Sequence, residues 1–352
     1  YVGTTADGSN ALGNGNDGIH LSNTGNASGD PIVIGGSSTG EGNVIAANGD
    51  DGIHLHADNV NVYGNRIGLD VDDDPMGNAD EGISAYYGAS DNRIGGIGSG
   101  EANTIAYNGA NGVFIPYNGS AFAFRTAIRG NAIFQNDALG IALGGEDGLG
   151  QDGDGVSRND AVPEALSGLF SYESDEDEGA NQQQNTPVIS SSSVDLSAGT
   201  LTVTYSVPSD PAHSTYPLAV DFYEAVFDVG GVVRSNPFGA NGQTSASDGI
   251  GKRSGPLAKG DARKSTGYDA PGEISITESI VIPVSEGALY LGSDTYTEAD
   301  YSAGAKTVTV PLAQTPESSD ISVNGTATDA EGNTSEFSFP FYLYEWAAGG
   351  TI

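Results

Sequence analysis

The sequence predicts an all-β chain in two parts, a parallel β-helix followed by an antiparallel β-sandwich. Three observations carry that expectation. A Gly-Ile motif returns at a near-constant interval through the first half, apolar and polar residues alternate in short runs, and 53 glycines, about twice the usual share, leave little room for helices.

The pentapeptide DGIHL occupies residues 17–21 and again 51–55. It belongs to a series: Gly18-Ile19, Gly52-Ile53, Gly82-Ile83, Gly112-Val113 and Gly140-Ile141. The aliphatic positions lie 34, 30, 30 and 28 residues apart, an interval that marks a solenoid in which each repeat makes one coil. Ile19 and Leu21 flank the polar His20, a period of two and hence a strand with one buried face. Between these motifs runs a series of asparagines, Asn43, Asn65, Asn92, Asn103 and Asn131, each two residues ahead of an aliphatic one. When coils stack at roughly 4.8 Å, like residues form columns. The Ile/Leu columns then fill the core, and an asparagine column can hydrogen-bond coil to coil at a bend.

The stretches GNVIAANGDDGIHL and YNGANGVFI resemble the coil signature of the right-handed parallel β-helix repeats of large secreted bacterial and archaeal proteins. The resemblance covers residues 1–165 and implies a secreted, extracellular or cell-surface protein. It implies no particular chemistry, because this architecture serves lyases, hydrolases, adhesins and fibres alike. Residues 1–19 parallel residues 66–83. Tyr1 and Val2 are therefore expected to enter in mid-coil, without the polar cap that a solenoid end needs. The chain also starts without methionine, as expected of a processed or truncated polypeptide.

An acidic, then Gln/Asn-rich stretch, 166–186, reads as a linker. From Pro187 to residue 352 the pattern becomes plain alternation, as in GTLTVTYSV with Leu201, Val203 and Tyr205 on one side. Several such runs separated by turn signals predict an antiparallel sandwich. Its hairpin ISVNGTATDAEGNTSEFS resembles the closing hairpin of Ig-like modules, which implies an Ig-like β-sandwich interrupted by a long insertion at 230–272.

Composition narrows the partners. A formal net charge of −35 repels nucleic acid and anionic lipid and favours cations. No apolar run reaches the roughly 18 residues of a membrane-spanning helix, so no membrane insertion is expected. The absence of cysteine excludes disulfides and thiolate metal sites. Calcium, which takes several oxygens, is expected where carboxylates crowd a Gly-rich turn: Asp70, Asp72 and Asp74 (with Asp73) in one loop, and Asp152, Asp154 and Asp160 at the junction. His20 and His54 hold the same outward position on successive coils, with His56 two residues on. Stacked imidazoles can share a transition metal, or can simply be exposed polar positions of a strand.

For an enzyme of this architecture, polysaccharide cleavage would need a basic residue beside a uronate or a pair of carboxylic acids. Residues 1–185 hold five arginines against 27 acids, a poor host for an anionic polymer. A neutral glycan remains compatible, with Tyr86, Phe114 and Tyr117 as stacking platforms around His20, His54 and Ser84. No catalytic residue is assigned. The expected function is that of a non-catalytic structural protein associating head to tail with copies of itself into a fibre or surface layer, with a polysaccharide-active enzyme and a glycan- or cell-binding adhesin stalk as alternatives. Four features motivate self-association: the uncapped start at Tyr1 and Val2, the acidic β-helix, the basic cluster Lys252, Arg253, Lys259, Arg263 and Lys264 that would dock on it, and a terminal stretch that is aromatic on both faces. That stretch places Phe337, Phe339 and Phe341 on one side and Tyr342, Tyr344 and Trp346 on the other.

Overall fold

A computed structural model describes residues 1–24, 29–116, 123–144, 180–227 and 285–338. The first half is a β-solenoid of parallel strands on three faces. The first face collects β1 (Ile19–Thr24), β4 (Ile53–Ala57), β7 (Ile83–Ala85), β10 (Val113–Ile115) and β13 (Ile141–Leu143). The second holds β2 (Ile32–Gly35), β5 (Val60–Tyr63), β8 (Ser90–Ile94) and β11 (Phe124–Ile128). The third holds β3 (Val44–Ile45), β6 (Arg66–Ile67), β9 (Thr104–Ala106) and β12 (Ala132–Phe134). The recurring motifs pair in register: Ile19 lies beside Ile53, His20 beside His54 and Leu21 beside Leu55. Their aliphatic side chains form one continuous core with Val62, Ile67, Ile94 and Ile105.

The glycine ahead of each aliphatic residue is a matter of space. A Cβ on Gly52, Gly82 or Gly112 would stand 2.6 Å from the carbonyl oxygen of the next coil's glycine. Asparagines then hold the bends. Along Asn43, Asn65, Asn103 and Asn131, each Oδ1 after the first accepts both the backbone N–H and the side-chain N–H of the asparagine one coil earlier, at 2.9–3.0 Å. Asn92 serves a different bend, accepting the Val60 amide at 2.8 Å. A second ladder, absent from the sequence expectation, runs through Asn14, Asn48, Asn78, Asn108 and Asn136 at 2.8–3.3 Å. Buried amide groups bonded in this way lose nothing by leaving water.

The start of the chain is a partial coil of the expected kind. Val2 bridges Ile45 in parallel, its amide donates to Val44 and its carbonyl accepts from Ala46. The bridge Thr4–Ala11 recurs two coils later as the bridge Leu69–Pro75.

The second part is antiparallel. β14 (Val188–Asp195), β15 (Thr200–Ser206) and β18 (Lys306–Pro311) form one sheet, and β16 (Leu218–Phe227), β17 (Ser285–Tyr296) and β19 (Val323–Thr328) form another. A short helix, α1 (Glu298–Ala303), begins at a capping box of Thr297 and Asp300. The predicted inward residues Leu201, Val203 and Tyr205 are fully buried and share a second core with Phe222 and Leu291.

The two parts are joined more closely than a linker implies. The third solenoid sheet does not stop at β12. β17 pairs with it antiparallel at Ile133 and Gly287, so seven strands run β3-β6-β9-β12-β17-β16-β19. Tyr223, Tyr290 and Phe337 close the end of the solenoid core. The last coil's amides find side-chain oxygens: Gln135 and Asn136 donate to Glu286 at 2.5 and 3.1 Å, Leu143 to Glu336 at 2.7 Å, Ile128 to Thr334 at 2.9 Å and Gly130 to Tyr223 at 2.9 Å. Arg129 adds a two-pronged ion pair to Asp221, which is completely buried. Residues 180–183, at the end of the acidic and Gln/Asn-rich stretch, pack against the last coil: Asn181 is buried and bonded to both backbone groups of Thr126. Phe337 is spent inside the chain, since its ring lies against Gly140 and Tyr223.

Candidate functional site

On the first face, the residue before each motif glycine forms a column running Asp17, Asp51, Glu81, Asn111 and Leu139. Its members are bonded rung to rung. Asp51 donates its amide to Asp17 at 3.3 Å, Glu81 to Asp51 at 3.2 Å, and the Asn111 side chain donates to Glu81 at 3.3 Å. Three residues on in each coil stand His20, His54 and Ser84. His20 Nδ1 lies 2.7 Å from Asp17 and His54 Nδ1 3.1 Å from Asp51. A carboxylate only accepts, so the imidazoles donate. The Ser84 hydroxyl donates to Asp51 as well. The rings of His20 and His54 stack at 4.5 Å and 3°, and Tyr86 stacks on His54 at 4.8 Å and 14°.

Burial sets the electrostatics of this column. Glu81 is pushed up to about 10, first by loss of water and then by the charges of Asp80 and Asp51, so it is a neutral acid at pH 7. Asp51 goes the other way. Burial would raise it, but the hydrogen bonds from His54, Ser84 and Glu81 outweigh that and hold it low. For His54, burial opposes the charged form, yet the Asp51 bond and the charges of Asp51, Asp17 and Asp50 raise it overall.

A split pair of carboxyl groups beside a histidine and a serine has the composition of a catalytic site, but not the geometry. Ser84 is completely buried, and its oxygen lies 3.2 Å from the same His54 nitrogen that faces Asp51. A proton relay needs the serine on one ring nitrogen and the carboxylate on the other. Asp51 and Glu81 are 4% and 3% exposed, out of reach of a saccharide. Phe114 is buried with Leu139 and Ala142, with Tyr86 against them, and so offers no stacking platform.

The acidic loop at 70–74 spends Asp70 on itself. That carboxylate accepts the amides of Asp72 and Asp74 at 2.8 and 2.9 Å, and Asp73 pairs with Arg66 at 2.6 Å. Among the described residues, carboxylates and imidazoles converge within 4.8 Å in three other sets: Asp17, His20 and His54; Asp17, Asp50 and Asp51; and Asp51, Asp80 and Glu81. Tyr1 is 59% exposed, while Val2 packs against the core. Asp152, Asp154 and Asp160, the basic cluster Lys252, Arg253, Lys259, Arg263 and Lys264, and the residues Tyr117, Phe341, Tyr342, Tyr344 and Trp346 lie outside the described residues, as does the 230–272 insertion.

A second candidate is a cleft of about 450 Å³ between the second face and the hairpin after β19. Tyr63, Arg93, Arg125 and Arg129 line one side and residues 328–332 the other. Arg125 is paired to Asp91 and Arg129 to Asp221. Arg93 is exposed and, among the described residues, has no carboxylate partner. Sequence spacing could not find this cleft, because hairpin and solenoid meet across some 200 residues of chain.

No protein-family model matches the chain, and no curated protein matches it in sequence. No described helix is long and apolar enough to cross a membrane.

Proposed function

We propose that the chain is an extracellular, non-catalytic structural protein, a β-solenoid carrying an Ig-like β-sandwich, whose copies associate head to tail. In-register stacking of the coils, which leaves Ile19, Leu21 and Ile32 of the first described rung partly exposed, carries this reading. The last described rung is closed by side-chain oxygens and three aromatic rings of the chain's own second part. At the first, by contrast, Leu12 is 69% exposed as well. Unpaired strand edges with apolar residues beside them are templates for another chain. The partner surface in this reading is the second part of a neighbouring copy, where the basic cluster and the aromatic terminus reside. Such a heterologous contact propagates into a fibre unless its rotation closes a ring. Calcium supports it by neutralising the acidic surfaces brought together.

Light scattering and electron microscopy of the full chain, with and without Ca2+, test the proposal. Concentration-dependent filaments are expected, and reversing the charge of the five basic residues at 252–264 should abolish them. A chain that stays monomeric at every concentration in both conditions rules it out. One observation favours a second reading, glycan binding. Arg93 and Tyr63 both line the junction cleft, where Arg93 has no carboxylate partner among the described residues, and polar groups around a ring are what orient a sugar. A glycan array on which the wild type binds and Arg93→Ala does not would select it.

A further inference from the structure

We propose that Asp17, His20 and His54 form a binding site for a divalent transition-metal ion of the zinc type, stapling the first solenoid rung to the second. The sequence Asp-Gly-Ile-His stands at 17–20 and again at 51–54, and parallel in-register pairing lays one copy on the other. The Asp17 carboxylate and one nitrogen from each imidazole thereby come within 4.8 Å of one another. Two nitrogens and an oxygen from three side chains, with a water in the fourth place, is a donor set suited to zinc, whose bonds are about 2.0–2.2 Å. Imidazole donors exclude calcium as the preferred ion, since calcium takes oxygen ligands. Closing from the present separations asks each ring and the carboxylate to move inward by a fraction of an ångström to about 1 Å, within the reach of small χ rotations.

The surroundings hold these groups ready. His54 is clamped between His20 and Tyr86, and Asp51, itself 4% exposed, fixes its ring through Nδ1. A buried carboxylate behind a ligating histidine is the usual orienting device. His20 is the exposed member, with 48% of its side chain accessible, which gives an ion a way in. Asp50 and Asp51 lie within 4.8 Å of Asp17 as well, so the notch concentrates negative charge where a cation would sit. At His20, whose Nδ1 faces Asp17, an ion that takes Nδ1 moves the ring's single proton to Nε2, whereas His54, with its Nδ1–H held by Asp51, offers Nε2, so both imidazoles stay neutral.

The chain has four histidines, His20, His54, His56 and His213, so two serve as internal controls. Zn2+ is titrated by calorimetry into the full chain in excess Mg2+, which occupies plain carboxylate sites, and Co2+ is followed by its visible spectrum. One ion per chain is expected, with the intense absorption of low-symmetry cobalt and a rise in melting temperature. His20→Ala and His54→Ala should each weaken binding at least about 10-fold, whereas His56→Ala and His213→Ala should not. Because His20 is exposed, its removal leaves the fold intact, as circular dichroism would verify. Absence of saturable Zn2+ binding, or equal loss in all four variants, overturns the proposal without touching the structural reading above.

Discussion

Glu286 is the residue on which the join between solenoid and second part can be tested most directly. It is 1% exposed and stands where a sixth asparagine of the second ladder would stand. Its carboxylate accepts the amides of Gln135 at 2.5 Å and Asn136 at 3.1 Å, and the Asn136 side chain at 3.3 Å. In Glu286→Ala the Asn136 side chain keeps the Ile105 carbonyl at 3.1 Å, but the two backbone donors lose these acceptors. A buried donor left unmet costs about 1–3 kcal/mol, so the variant should lose about 2–6 kcal/mol. Glu286→Gln keeps one acceptor oxygen and turns an N–H toward the other amide, so its loss should be smaller. Equilibrium urea unfolding by circular dichroism measures the loss, and hydrogen exchange at Gln135 and Asn136 reports whether the last rung has opened. If Glu286→Ala falls within about 0.5 kcal/mol of wild type, the range of an ordinary surface change, the capping argument is wrong.

Two further predictions concern charge. Glu81 titrates near 4.5 when unfolded and at about 10 when folded, so between those values the folded state holds one more proton and stability falls as pH rises. At pH 7 the cost is about 3 kcal/mol, and Glu81→Gln, which mimics the neutral acid, should remove this slope from a pH series of unfolding curves measured with a chelator; an unchanged slope would disprove a neutral Glu81. Arg129→Met leaves the fully buried Asp221 without its partner and should destabilise by about 3–5 kcal/mol, with part of the loss recovered in the double variant carrying Asp221→Asn; additive losses in urea would show that the pair does not act as a unit.

What could be read from the sequence follows from how far apart the cooperating residues lie. The Gly-Ile column, the in-register His20 and His54 and the alternation of Leu201, Val203 and Tyr205 are local or periodic, and periodicity survives in a linear string. The ladder of Asn14, Asn48, Asn78, Asn108 and Asn136 was equally legible, since each member precedes its motif glycine by four residues. None of its members stands two residues ahead of an isoleucine, the signal that marks the first ladder. Glu286, Glu336 and Asn333, whose Oδ1 accepts the Arg125 amide at 2.7 Å, were not legible at all. They meet the last coil across 150 to 208 residues, and nothing in their own neighbourhood distinguishes a capping carboxylate from a surface one. The Asp-His-Ser column was visible as residues but not as chemistry, because only coordinates place Ser84 and Asp51 on the same nitrogen of His54.

The same column explains how a solenoid of near-identical rungs keeps its order. The Ile/Leu core and the two long asparagine ladders repeat at each coil they serve, so they would tolerate exchanging one coil for its neighbour. The column on the first face does not repeat. From the first rung to the last it passes through Asp17, Asp51, Glu81, Asn111 and Leu139, while its companions pass through His20, His54, Ser84, Phe114 and Ala142. Polarity thus declines steadily toward the end that the second part covers, and the apolar trio Phe114, Leu139 and Ala142 sits beside that cover. A coil slipped toward the cap would bury an Asp-His pair against this trio, and stripping the carboxylate of water there costs several kcal/mol. A coil slipped away from it would leave the trio in water. The uniform features therefore hold the rungs together, and the graded column fixes which rung is which.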